Sequence, residues 1–278
     1  MIKKTIMKTA GIILFVAGYC WAGCCTEGSA CSRQVEMDSN NVEPILEQLN
    51  KKTKELRSYQ AQIEYKFSQP LLESQSIRKG GLYYLKNDER SMLRVNFQTL
   101  KQDDEKQQKY IEHFIFDGIW LAHIDYQIRS AKRHQLAEPN RPMDAFELAG
   151  RNLPIIGFTK IEDLEKQFEV QLVEQKKQDE PPTFIQLHLK VKPDSIYKDD
   201  YTSIDFWINK ELYLPDKVLA VSTEEDIYEI KFLKPIVNKK MDGKVFEFEI
   251  PKDFSVEITP LKGPESSDSE ESMPRADG

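Results

Sequence analysis

Cysteine is scarce in this chain and confined to one end. There are four in 278 residues, Cys20, Cys24, Cys25 and Cys31, and none follows position 31. No C-x-x-C or His/Cys ligand spacing occurs, so a zinc site is not indicated. Histidine is equally sparse: His113, His123, His134 and His188 lie far apart. His113 and His123 could meet across a hairpin, but without a third ligand pattern a surface or partly buried pair is expected rather than a metal site. Positive charge is in deficit, with 39 Lys and Arg against 46 Asp and Glu and a net charge of −7. The basic residues are scattered among acidic ones, and no basic cluster with interleaved aromatics exists, which argues against a nucleic-acid partner. Also missing are G-x-S-x-G, H-E-x-x-H and the P-loop. Carboxylates are too abundant for any one pair to indicate hydrolysis. The expectation is a protein that is not an enzyme and uses no cofactor. After the N-terminus no apolar run is long enough to span a bilayer.

What is present begins with a leader. Lys3, Lys4 and Lys8 precede a short apolar stretch, Ala10 to Ala17, as in a secretory signal peptide over 1–23. Trp21-Ala22-Gly23-Cys24 then resembles a bacterial lipobox, with Trp21 in place of the usual aliphatic residue. Two readings stay open: lipidation at Cys24, or plain secretory cleavage near Ala22 or Gly23. With Cys24 lipidated, Cys25 and Cys31 could pair; the plainer reading is a cysteine-containing linker over 24–41.

A helix should follow, capped by Asn40 or Asn41 with Pro44 in its first turn. Val42, Ile45, Leu46, Leu49 and Leu56 mark one buried face. Next come period-two runs. Tyr59, Ala61, Ile63, Tyr65 and Phe67 alternate with polar residues. Ile77 to Lys86 is a second strand, with Gly80-Gly81 at a bulge or bend. Arg90 to Phe97 is a third, followed by a polar loop from Thr99 to Lys109. Phe114 to Asp125 reads as a hairpin turning at Asp117-Gly118, because a tight turn needs φ > 0 and glycine accepts it without steric cost. Its arms are apolar on both faces, so this part of the sheet should be covered on both sides. Tyr126 to His134 is a polar strand near an edge.

Pro139 to Pro142 then breaks the sheet. Met143, Phe146, Ala149 and Leu153 fall at helical spacing, and Thr159 to Lys166 reads as a second short helix. This insertion is the candidate cover. Strands resume at 168–174, 183–191, 204–208, 213–221 and 227–232. The last strong strand is expected over Val245 to Ile250, where Phe246, Phe248 and Ile250 alternate with Glu247 and Glu249. The acidic stretch 260–278 should be disordered. The fold class is therefore mainly β with a few helices: a large curved antiparallel sheet, an open or half β-barrel. An N-terminal helix and a mid-chain helical lid cover it. A single domain over 42–259 and a monomer are expected.

Several of these segments, in this order, resemble the LolA-type family of outer-membrane lipoprotein carriers, which includes LolB-like, LppX-like and RseB-like proteins. The segments are Arg57 to Gln62, Gly80 to Leu85, Phe116-Asp117-Gly118 with Trp120, Asp205 to Ile208 with Leu214-Pro215, and Phe246 to Pro251. Where carriers of that family have Arg-Pro after the second strand, this chain has Lys86-Asn87-Asp88. The resemblance implies an envelope protein that holds acyl chains of lipids or lipoproteins in an apolar cavity. The cavity would be lined by Ile63, Tyr65, Phe67, Val95, Trp120, Ile185, Leu187, Phe206 and Phe248, under a lid carrying Met143, Phe146 and Leu153. Which face of each strand turns inward is not set by sequence, since a one-residue slip exchanges the faces. The alternative within the resemblance is an RseB-like sensor that regulates a partner protein.

Overall fold

A computed structural model describes residues 42–88, 90–145, 148, 161–173 and 183–261. Cys24, Phe146 and Leu153 lie outside the described residues, as do the leader and the tail from 262. The strands are β1 (Ser58–Gln69), β2 (Ser74–Lys86), β3 (Ser91–Gln102), β4 (Gln108–Phe116), β5 (Trp120–Asp125), β6 (Ser130–Gln135), β7 (Phe168–Leu172), β8 (Phe184–Val191), β9 (Tyr201–Asn209), β10 (Pro215–Ser222), β11 (Ile227–Val237) and β12 (Ser255–Thr259). Helix α1 is Glu43–Lys54 and helix α2 is Ile161–Gln167.

All twelve strands form one open sheet in the order β12-β6-β5-β4-β3-β2-β1-β11-β10-β9-β8-β7. The chain meanders from β1 to β6, crosses to the far edge, and meanders back from β7 to β11 beside β1. Every pairing is antiparallel except β12 with β6, which is parallel. One end of the sheet carries the start of β1 and the end of β2; the opposite end carries the β1–β2 and β5–β6 turns. We call these the closed and open ends.

Local chemistry sets the turns. Asp117 Oδ1 accepts from the amides of Ile119 (2.9 Å) and Trp120 (2.8 Å), and Gly118 takes φ +97°. A side chain there would be strained in that left-handed region. Glycine at position 80, opposite the β3 bulge at Gln98, is required in a different way: a Cβ would sit 1.7 Å from the Asn96 carbonyl oxygen. Both ends of the polar 99–109 stretch belong to strands, β3 to Gln102 and β4 from Gln108, so the loop is shorter than its composition implies. Helix α1 begins one residue after Val42, which offers no side-chain cap, and packs Ile45 and Leu46 on the sheet.

The main core lies on one face, which we call inner. It gathers Tyr59, Ala61, Ile63 and Tyr65 of β1, Leu82 and Tyr84 of β2, Phe97, Phe114, and Ile204, Phe206 and Ile208 of β9 with α1 and Leu164 of α2. A second cluster lies on the outer face: Ile115, Ala122, Ile124 and Ala131, packed by Phe248, Ile250 and Phe254. Here the expected strand Val245–Ile250 is corrected. Gly243–Phe246 is a 3-10 turn, and the chain beyond it is an unpaired strap across β3 to β6. Its alternation is real, with Phe248 and Ile250 inward and Glu247 and Glu249 exposed, but alternation reports two different surroundings and not a strand partner. Arg94 Nη1 pins the strap by donating to the carbonyls of Val245 (2.8 Å) and Glu247 (2.9 Å). The strap supplies the second cover that the two-sided apolar hairpin requires.

Outside the strap the outer face is polar. A ladder runs Lys79–Glu64–Lys231–Glu229–Lys217 across β2, β1, β11 and β10, and Lys217 Nζ sits 3.4 Å from the Trp207 ring centroid.

Candidate ligand-binding face

Seven of the residues proposed from sequence to line a cavity share the inner face: Ile63, Tyr65, Phe67, Val95, Ile185, Leu187 and Phe206. The other two do not. Trp120 stands on the outer face with Ala122 and Ile124, under the guanidinium of Arg133 at 5.0 Å, and Phe248 belongs to the strap. The cause is the hairpin register. Phe116 pairs with Leu121 and Phe114 with His123, so Leu121 and His123 face inward and Trp120 outward. The same register separates His113 from His123. His113 faces outward beside Arg94 (Nδ1 to Nη2, 3.4 Å) and Tyr126. Burial, and then the Arg94 charge, hold the His113 pKa down at about 4.

The chain after Leu136 leaves β6 at the closed end and re-enters the sheet as β7 at the open end, and the buried residues described along this crossing segment lie in the inner core. It starts at the closed end, where Met143 N donates to Gly118 O (2.7 Å) and Ala145 N to Ser91 Oγ (2.6 Å). Lys86 Nζ pairs there with Asp144 Oδ2 at 3.1 Å. Thus the Lys86 turn, which lacks Arg-Pro, still supplies a cation to the crossing segment. Leu148 N bonds to Asp144 O in helical fashion, and Met143, Ala145 and Leu148 are buried in the inner core. At the open end Ile196 N bonds to Gln167 Oε1 and Phe168 stacks on Tyr197.

Toward the open end the inner face becomes aromatic, with Phe67, Tyr201 and Tyr228 half-buried beside the buried Tyr65 and Phe97. Phe67 and Tyr228 lie 5.1 Å apart, Tyr201 and Tyr228 6.4 Å, and Tyr65 and Phe97 6.3 Å. Burial raises the hydroxyl pKa of Tyr65, Tyr201 and Tyr228, keeping these rings neutral. Among them sits a charged group. Glu112, fully buried, accepts from Arg78 Nη1 at Oε2 (3.0 Å) and meets His123 Nε2 at Oε1 (2.8 Å). The His123 ring stacks on Phe114 at 4.3 Å, and the Arg78 guanidinium lies 5.1 Å over the Tyr110 ring. Burial, followed by the Glu112 charge, pushes the Tyr110 hydroxyl up to about 12. The sequence reading assigned no role to Glu112, Arg78 or Tyr110. The signal was available: a charged residue in phase with the apolar face of a strand.

Among the described residues a cavity of about 250 Å³ opens at the β1–β2 tip, lined mainly by Ser68, Gln69, Glu73, Gln75, Asp103 and Asp104. No group of three His, Cys, Asp or Glu side chains among the described residues is arranged to hold a metal ion.

No protein-family model and no curated protein matches the chain. Solved structures do. An uncharacterized conserved protein from Thermus thermophilus has 11% identity and a TM-score of 0.46, covering 78% of this chain and 98% of that one. The Pseudomonas aeruginosa MucA/MucB complex has 13% identity and a TM-score of 0.40, covering 69% of this chain and 56% of that one. A LolA superfamily protein from Nitrosomonas europaea has 13% identity and a TM-score of 0.32, covering 74% of this chain and 97% of that one.

Proposed function

We propose that this is a bacterial envelope protein that binds acyl chains of lipids or lipoproteins on the inner face, between the sheet and the crossing segment. The observation that supports this is the nature of the cover. Apart from the Arg78–Glu112–His123 group the inner face is an apolar surface, and the described part of the crossing segment packs on it without joining the sheet as a strand. Moving the segment aside would open a groove lined by Ile63, Tyr65, Phe67, Val95, Ile185, Leu187 and Phe206. Each buried methylene contributes about 0.8 kcal/mol, so a half-enclosed chain binds usefully. Native mass spectrometry of the purified chain should find co-purifying lipid, and the dye N-phenyl-1-naphthylamine should bind and be displaced by fatty acids. Tethering Lys86→Cys to Asp144→Cys with a short bis-maleimide, in a chain with Cys20, Cys24, Cys25 and Cys31 replaced by serine, should abolish uptake. Uptake that survives the tether would reject the crossing segment as the door.

Anchoring through Cys24 belongs to the same reading. Cys24→Ala should move the protein from the membrane fraction to the soluble periplasm; a wild type that is already soluble rejects the anchor.

A second reading, an interaction domain regulating a protein partner, draws support from the open end. Leu71 and Leu72, Ile128 and Ile196 sit on three separate turns there, and each is at least 69% exposed. Persistent absence of lipid in the mass spectra would favour it.

A further inference from the structure

The charged group on the inner face has more hydrogen-bond donors than acceptors. Glu112 is its buried acceptor, and both oxygens are engaged, one by Arg78 and one by His123. Arg78 spends Nη1 on that contact, while its Nε is buried with no hydrogen-bond partner. A guanidinium carries five N–H donors and accepts nothing, and a buried donor left unmet is costly. The arrangement is not sealed from solvent: the Arg78 and His123 side chains are 19% and 21% exposed, while Glu112 is at 0%. It stands in phase with the apolar rows of β2, β4 and β5, near the open end, among Tyr65, Phe97 and Tyr110.

Resting on the acyl-chain reading above, we propose that Arg78, seated on Tyr110 and oriented by Glu112 and His123, forms a head-group subsite. It takes the anionic oxygen end, carboxylate or phosphate, of a ligand whose chain lies along the inner face. Glu112 neutralises part of the guanidinium charge and aims it, and the remaining donor edge faces the ligand. The pairing of a planar cation with an oxyanion is charge-assisted and directional, and loses little to water at a half-buried position. The geometry also explains the site's placement. A charged head near the open end stays close to solvent while its chain runs toward the apolar closed end.

The test uses the full chain and displacement of N-phenyl-1-naphthylamine by hexadecanoate, hexadecyl phosphate and hexadecan-1-ol, with acetate and inorganic phosphate as chain-free anions. Wild type should bind at least one of the two anionic ligands about tenfold or more tighter than the alcohol, as one charge-assisted contact allows. Which of the two is tighter distinguishes carboxylate from phosphate. Arg78→Gln alone strands the Glu112 charge and risks unfolding, so Arg78→Gln/Glu112→Gln is the informative variant. It should bind hexadecan-1-ol as wild type does and lose the preference for anions to within about twofold. Glu112→Gln alone, which frees the guanidinium, should sharpen the preference. Equal binding of alcohol and anions by wild type, or a preference that persists in the double variant, overturns the subsite and leaves the apolar groove standing. Competition by acetate or inorganic phosphate alone would put the anion site apart from the groove and overturn it too. Dye and ligands that fail to bind at all reject the acyl-chain reading, and the subsite with it.

Discussion

Two long connections leave the closed end of the sheet and arrive at the open end, and their described residues, on opposite faces, are fastened differently. The outer strap, 238–254, is held along its length. Asn238 at its root accepts from the amide of Arg57 (2.7 Å) and donates to Glu55 O (3.2 Å). Arg94 grips two of its carbonyls, Phe248, Ile250 and Phe254 seal the second core, and the chain ends as β12 beside β6. The described start of the inner crossing segment is held by the amides of Leu136 and Ala137 on Ile119 O, of Met143 on Gly118 O and of Ala145 on Ser91 Oγ, by the Lys86–Asp144 pair, and by the burial of Met143, Ala145 and Leu148. Apolar contact has no direction and can be exchanged for an equally apolar ligand; carbonyls bound to a guanidinium cannot. On the proposed reading one connection stays and the other gives way to ligand, and four measurements bear on that contrast.

The largest effect should come from charging the layer beneath the strap. Ile124 is fully buried there, with Ile115, Ala122 and Ala131 around it. Ile124→Lys should cost more than about 3 kcal/mol in urea unfolding, because the ammonium has no partner in that layer. Leu219→Lys, on the uncovered outer face between Glu229 and Asp205, should stay within about 0.5 kcal/mol of wild type. Equal losses would mean that the strap does not seal the face it crosses.

Next in size is the grip itself. Arg94→Met keeps the stem and removes the hydrogen bonds to Val245, Glu247 and Asn96. A loss of about 2 kcal/mol is expected, with faster limited proteolysis between 238 and 254. A stable variant with an unchanged cleavage pattern would show that β12 and the apolar contacts hold the strap unaided.

How far the sequence foretold this depends on what each signal measures. Period-two alternation located the strands up to β11, and the Asp117-Gly118 pair located the turn that fixes their register. Apolar residues on both arms of that hairpin called for two covers. The inner one was expected in the insertion, but the outer one was hidden because Phe246 to Ile250 has the pattern of a strand. Nothing in a single strand's alternation distinguishes a neighbour across a hydrogen-bond ladder from a sheet lying beneath. Trp120, which the resemblance placed in the lining, shows the limit that a strand's faces are not set by sequence: the pairing of Phe116 with Leu121 sends it outward against Arg133. The Arg78–Glu112–His123 group was legible only as phase. Its three residues come from three strands, and between Arg78 and Glu112 the intervening strand β3 is bulged at Gln98.

A smaller effect should appear with pH beneath the strap. His113 lies on the outer face, its folded pKa near 4 against an ordinary 6.5, through burial and the Arg94 charge. Between those values the unfolded chain takes up a proton that the folded chain refuses, so stability falls as pH drops from about 6.5 to about 4. It does not change above that window on account of this group. At a half-exposed position screening trims the effect to on the order of 1 kcal/mol. His113→Gln should flatten that part of the urea-midpoint profile. An unchanged slope would assign it to other groups.

The smallest change in stability should come from the inner fastening, and it is the one that speaks to function. The Lys86–Asp144 pair is 27% and 32% exposed at its two side chains. Pairs of this kind contribute about 0–1 kcal/mol, so Lys86→Ala should unfold at nearly the wild-type urea concentration. The crossing segment would keep its apolar contacts through Met143, Ala145 and Leu148, and with them its resting position. What changes is the free energy of lifting its start away from the closed end. Lowering that barrier by up to about 1 kcal/mol raises the rate of ligand uptake by up to about fivefold. Stopped-flow mixing with N-phenyl-1-naphthylamine reads that rate directly, and the equilibrium affinity should move much less. Arg94→Met supplies the opposite control, since it loosens the other connection: stability should fall there while the uptake rate holds. If uptake is faster in Arg94→Met and unchanged in Lys86→Ala, the roles of the two connections are reversed and ligand reaches the sheet from the strap side.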